Sequence, residues 1–111
     1  MEKEIRAFIE WLKERGWKEY TPPSVENCDY VLYKPLSVDV ESSQVSLSIY
    51  DFSKNILDHV GIQLTAYAEI NEHGVRVLLS NLTIDEIQKP ASLDKMLSSL
   101  IKALQAMKGT E

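Results

Sequence analysis

Residues 60–82 read VGIQLTAYAEI, then NEHG, then VRVLLSNL. Val60, Ile62, Leu64, Ala66, Ala68 and Ile70 occupy alternate positions, and Gly61, Gln63, Thr65, Tyr67 and Glu69 fill the positions between. A β-strand points successive side chains to opposite faces, so this spacing predicts one strand with an apolar face and a mixed face. Val75, Val77 and Leu79 continue the apolar face on a returning strand. Asn71-Glu72-His73-Gly74 reads as a four-residue connection, with Gly74 suited to a left-handed backbone position. In that register Ile70 faces Val75, Glu69 faces Arg76 in a cross-strand ion pair, and Tyr67 faces Leu78.

Upstream, Val45-Ser46-Leu47-Ser48-Ile49 alternates in the same way, and Tyr30 to Lys34 is aromatic and β-branched enough for a strand that Pro35 ends or marks as an edge. Tyr30 and Tyr33 have opposite parity, so at least one points away from the core. Val38 and Val40 begin a further strand or extend the first past a bulge. Residues 41–44 read as a turn, 51–58 as a polar connection and 20–29, with Pro22-Pro23, as an irregular one.

Both flanks are helical. In residues 2–15, Ile5, Phe8, Ile9 and Leu12 recur at helical spacing, and Gly16 stands where a left-handed cap ends the helix. Trp11 and Trp17 lie near that end. Glu2 with Arg6 and Glu14 with Lys18 stand four apart, the spacing of helical ion pairs. From Leu93 to Met107, Leu93, Met96, Leu97, Leu100, Ile101, Leu104 and Met107 form one stripe, with Ser92 as N-cap and Gly109 beyond the end. Thr83-Ile84-Asp85-Glu86 resembles a capping box for a short helical turn that Pro90 stops. The order is helix, three to five antiparallel strands, helix. The expected fold is α+β, a two-layer sandwich in a single domain spanning 1–111, with both helices on the apolar face of the sheet.

Composition bounds the function. The chain has 111 residues, 17 acidic and 12 basic, for a net charge of −5. Its N-terminal lysines and arginines are interleaved with glutamates and form no basic stripe, which disfavours nucleic acid as a partner. No apolar run reaches the ~20 residues of a membrane span, and no apolar segment follows the first residues as in a secretory signal. A soluble, cytoplasmic protein is the expectation.

Chemistry is sparse. The four glycines, at 16, 61, 74 and 109, are isolated, so no phosphate loop is present. His59 and His73 lack the paired spacing of a metal site, and Cys28 has no neighbouring ligand. The charge of Asp29 also disfavours the Cys28 thiolate. No serine sits in a strained elbow between glycines. Asp39, Glu41, Asp51 and Asp58 flank strands, but spacing alone makes no acid–base pair of them. The sequence therefore predicts no catalytic residue, no cofactor and no metal.

The leading expectation is a small non-catalytic module that binds protein, either itself as a homodimer or a larger partner. Its candidate binding face is Tyr50, Tyr67, Glu69, Arg76 and Leu78, on the side of the sheet away from the helices. Two other classes stay open: an acidic inhibitor or decoy of the phage or mobile-element anti-defence type, and a small-molecule-binding or hydrolytic domain with its site between sheet and helices.

Overall fold

A computed structural model describes residues 2–20, 28–36, 43–51, 60–70 and 72–108. The elements run α1 (Glu2–Glu14), β1 (Lys18–Tyr20), β2 (Tyr30–Pro35), β3 (Gln44–Asp51), β4 (Val60–Ile70), β5 (His73–Leu82), α2 (Ile84–Ile87) and α3 (Ser92–Lys108). The five strands pair in chain order, and every neighbouring pair is antiparallel. The fold is the expected α+β sandwich: an antiparallel sheet with an N-terminal helix and C-terminal helices on one face.

Alternation selects that face. Val45, Leu47 and Ile49 of β3 stand opposite Ala66, Leu64 and Ile62 of β4; all six are buried, and with Ala68 of β4 and Leu32 of β2 they form one apolar core. The core's other wall is Ile5, Phe8, Ile9 and Leu12 of α1 with Leu93, Leu100 and Leu104 of α3. Polar contacts place α1 over the β1–β2 side. Lys13 and Arg6 reach Glu19 of β1 at 3.1 and 3.9 Å, and the Arg6 guanidinium lies 4.9 Å from the centre of the Tyr30 ring. Lys34, at the rim of β2, donates to the Arg15 carbonyl at 3.0 Å, closing the C-terminal end of α1 where the helix dipole favours a cation. Gly16 follows at φ 92°, the left-handed cap expected of it. The C-terminal helix α3 packs on β4 and β5.

Several sequence expectations change. The short strand β1 was not expected and ends on Tyr20, the first residue of what reads as an irregular connection; three residues are too few to show a period. It carries Lys18 out of the helix, and Arg6 pairs with Glu19 instead of a helical neighbour because the sheet brings that carboxylate within reach. The ladder between β4 and β5 closes at His73 instead of Val75, so the connection is shorter than the four residues expected. His73 pairs with Ile70, Gly74 with Glu69, Arg76 with Tyr67 and Leu78 with Thr65. The slip of two residues leaves each side chain on its expected face, because the strand period is two. Glu72, at φ 69°, supplies the left-handed position assigned above to Gly74, which sits in the ladder instead. Past Leu79 the register shifts, and Leu82 pairs with Ile62. Asn81 takes φ 60° within this bulge.

At the C-terminal end, Thr83 caps α2 as expected, its hydroxyl accepting from the Glu86 amide at 3.2 Å. Ser92 is not the N-cap of α3. It is already helical, and the carbonyl of Ala91, at φ 62°, accepts the first helical bond from Lys95. The α3 stripe is also uneven: Leu100 and Leu104 are buried, Leu97 and Ile101 are half-buried, and Met107 is 39% exposed. The expectations for Val38, Val40, Gly109 and the connections at 21–27 and 52–58 lie outside the described residues.

Burial therefore ranks the α3 leucines. Leu100→Ala is expected to cost about 2–5 kcal/mol, the range for a leucine truncated in a packed core. Leu97→Ala is expected to cost about 1–2 kcal/mol, because it withdraws less apolar area from the interior. Urea denaturation of the two variants checks the order.

Candidate functional site

The two faces of the sheet differ in chemistry. On the face away from the helices, β3 presents Gln44, Ser46, Ser48 and Tyr50, and β4 presents Gln63, Thr65, Tyr67 and Glu69. Ser46, Ser48 and Thr65 are short and form a trough between two taller banks. On the β1–β2 side, Tyr20 and Tyr33 put their ring centres 4.4 Å apart, above the buried Val31. The parity argument for Tyr30 and Tyr33 resolves here: Tyr33 faces outward, and Tyr30 lies under Arg6 on the helix side. On the β4–β5 side stand Tyr67, Arg76 and Leu78. A groove of about 360 Å³ runs between Gln44, Ser46, Ser48, Thr65, Tyr67 and Arg76.

Four of the five predicted face residues come together. Tyr67 and Arg76 are direct cross-strand partners, with the guanidinium carbon 5.9 Å from the ring centre, a cation–π geometry. Glu69 and Leu78 are the same-face neighbours of Tyr67 and Arg76 along their strands. Glu69 is exposed and faces Gly74, so the expected ion pair directly opposite Arg76 is replaced by this ring stack. Leu78 is 53% exposed. Tyr50 shares the face but lies at the far end of β3, opposite Gly61. Tyr20 and Tyr33 were not expected at the site. The opposite parity of Tyr30 and Tyr33 required one of the two to face outward without selecting Tyr33, and the strand that brings Tyr20 beside it left no sequence signal.

Gly74 has a structural reason to be glycine. A Cβ there would stand 3.0 Å from both Cε2 and the hydroxyl oxygen of Tyr67, whose ring lies across the bare backbone. Leaving out the side chain lets the aromatic ring lie flat on β5 and reach Arg76. The sequence shows a glycine in a turn-like context; only the register reveals the ring above it.

Elsewhere the chemistry is structural. The Cys28 thiol donates to the carbonyls of Tyr30 at 3.0 Å and Ile49 at 3.3 Å. Burial pushes its pKa up, and the neighbouring Asp29 charge adds to the rise. Asp29 in turn accepts from the Asp51 amide at 2.7 Å, tying the start of β2 to the end of β3. Burial likewise raises the Tyr50 hydroxyl above its ordinary range. His73 is exposed at the tip of the hairpin, and His59, Asp39, Glu41 and Asp58 lie outside the described residues. Among the described residues no three His, Cys, Asp or Glu side chains gather as a metal site would require. No described helix is long and apolar enough to cross a membrane. A second depression, of about 490 Å³, opens where the start of α1 meets α2, beside Glu4, Thr83, Asp85 and Gln88.

No protein-family model matches this chain, no curated protein matches it in sequence, and no solved structure matches its fold.

Two measurements check these contacts. Replacing Gly by Ala in a strand ordinarily adds about 0.5–1 kcal/mol. Gly74→Ala is expected to show that gain when Tyr67 is also Ala and to lose it when Tyr67 is present, giving a coupling of about 1 kcal/mol in a four-protein denaturation cycle. For Cys28, a raised thiol pKa means less thiolate near neutrality. Alkylation at pH 8 is expected to be slower in the folded than in the unfolded chain, the gap closing as pH rises through the folded value.

Proposed function

We propose that this protein is a small non-catalytic protein-binding module whose contact surface is the β4–β5 side of the open sheet face, and that its first partner is a second copy of itself. The observation that carries the reading is Leu78. It is more than half exposed, on a strand interior, next to a tyrosine and an arginine that are already stacked on each other. A lone exposed leucine is ordinary on a protein surface. One flanked by Tyr67 and Arg76, and rimmed by Glu69, has the composition of an interface centre: aromatic and guanidinium groups around an apolar residue, with charge at the margin. The trough beside it supplies hydroxyl and amide groups for polar contacts.

Glu69 and Arg76 give this surface one charge of each sign, so a second copy meets no excess of like charge on it. Two-fold self-association also uses one patch twice, which is the simplest closed assembly.

The test is Leu78→Ser. Its side chain lies outside the core, so thermal stability is expected to stay within about 0.5 kcal/mol of the parent. Sedimentation equilibrium is expected to show a dimer in the parent and a dissociation constant raised tenfold or more in the variant. A variant that melts like the parent and sediments with the same constant overturns the reading.

A further inference from the structure

The two edges of the sheet are built differently. At one end β1 is three residues long and carries Lys18 and Glu19, so it offers little backbone to a neighbour and guards it with charge. At the other end β5 runs for ten residues, contains no proline or lysine, and has Arg76 as its only Arg, Asp or Glu. Among the described residues no strand lies beyond it. A long edge strand without these guards is a template for another strand.

Register defines which backbone groups are open. Hydrogen-bonded and non-bonded pairs alternate along an antiparallel ladder, and the pair closing a two-residue loop is a bonded one. Ile70 and His73 are that pair. Val75, Val77 and Leu79 therefore turn their amides and carbonyls toward β4, while Gly74, Arg76, Leu78 and Ser80 turn theirs outward. Their side chains are exposed as well. Among the described residues, no backbone hydrogen bond outside the ladders reaches this side of β5. The usable stretch is bounded by the loop before His73 and by the bulge at Asn81. It runs from Gly74 to Ser80, and its midpoint is Val77.

We propose that two copies of this chain join by antiparallel pairing of β5 with β5 about a two-fold axis at Val77, making one continuous ten-stranded sheet. This rests on the reading that the protein acts by self-association, and it seats the contact on the outer edge of that face, where Leu78 of one copy lies against Arg76 of the other. The bounded stretch selects the register. Arg76 faces Leu78 of the second copy, Gly74 faces Ser80, and Val77 faces Val77. A slip of one step toward the loop would set Arg76 against Arg76; one step toward the bulge would run the pairing into Asn81. In the selected register Arg76 is held toward Tyr67 of its own chain by their stacking, away from its symmetry mate. Up to about eight backbone hydrogen bonds form across the junction. Val75, Val77 and Leu79, half-buried at the rim of the helix layer, lose more of their exposure to water. The two open faces become contiguous, which brings both Tyr67–Arg76–Leu78 patches to the centre of one surface.

Two kinds of variant test this. Arg76→Pro deletes an amide that points outward, a change an edge strand tolerates, with Arg76→Ser as the side-chain control. Sedimentation is expected to show dimer for the parent, a weakened dimer for Arg76→Ser, whose backbone amide is intact, and monomer with unchanged circular dichroism for Arg76→Pro. In a Cys28→Ser background, Val77→Cys places two thiols on a non-bonded antiparallel pair, whose Cα separation suits a disulfide. Mild oxidation is expected to cross-link Val77→Cys quantitatively and to leave Glu69→Cys uncross-linked. A dimer that survives Arg76→Pro, or a dimeric Val77→Cys that does not cross-link, overturns the edge pairing and leaves self-association by another surface standing. A parent chain that sediments as a monomer throughout overturns both.

Discussion

The apolar column shared by β3 and β4 is the surface on which the rest of the structure stands. Leu47 lies opposite Leu64, Ile49 opposite Ile62 and Val45 opposite Ala66, and both helices press their stripes against these pairs. Burying each large side chain contributes roughly 1.5–3 kcal/mol, so this column and the two helical stripes carry most of the apolar stabilisation. The alanines matter as much as the leucines. Ala66 and Ala68 are fully buried on β4, against which α3 packs, and side chains this small let a helix approach the sheet closely.

Because both helices commit to one face, the opposite face is left to other uses. Its central strands carry serine, threonine and glutamine, which tolerate water and give no reason for a third layer. Its banks carry tyrosines, an arginine and a leucine, which do offer one. The same asymmetry recurs at the edges. β1 is short and charged and ends its side of the sheet, whereas β5 is long and nearly uncharged. Surface chemistry and edge chemistry thus point to the same corner of the molecule, around Tyr67, Arg76 and Leu78.

That corner depends on Gly74. A Cβ at 74 would stand 3.0 Å from the Tyr67 ring, which would have to give way by a few tenths of an ångström. The backbone pays in conformational entropy for a glycine in a strand, and the ring laid over it recovers part of the loss. A left-handed Glu72 at the turn is the accompanying oddity, since a non-glycine residue rarely takes that conformation.

By itself the sequence determined the period of the long elements, and with it the fold class. Alternation through 45–49 and 60–70 and the helical spacing of 5–12 and 93–104 are local patterns, each enforced by the fixed geometry of a strand or a helix. The faces of Tyr67, Glu69, Arg76 and Leu78 were legible for the same reason, and so was the Thr83 cap, whose donor and acceptor lie three residues apart. What the tertiary structure decided were the quantities a local pattern leaves free. Register was one: a slip of two residues preserves every face, so alternation cannot distinguish Tyr67 opposite Arg76 from Tyr67 opposite Leu78. The existence of β1 was another, because three residues show no period and the strand forms only where β2 is present to receive it. Pairing of Glu19 with Lys13 and Arg6, the ring over Gly74 and the unguarded outer side of β5 all depend on which segments lie beside one another. Those neighbours are set by packing the whole chain, not by any stretch of it.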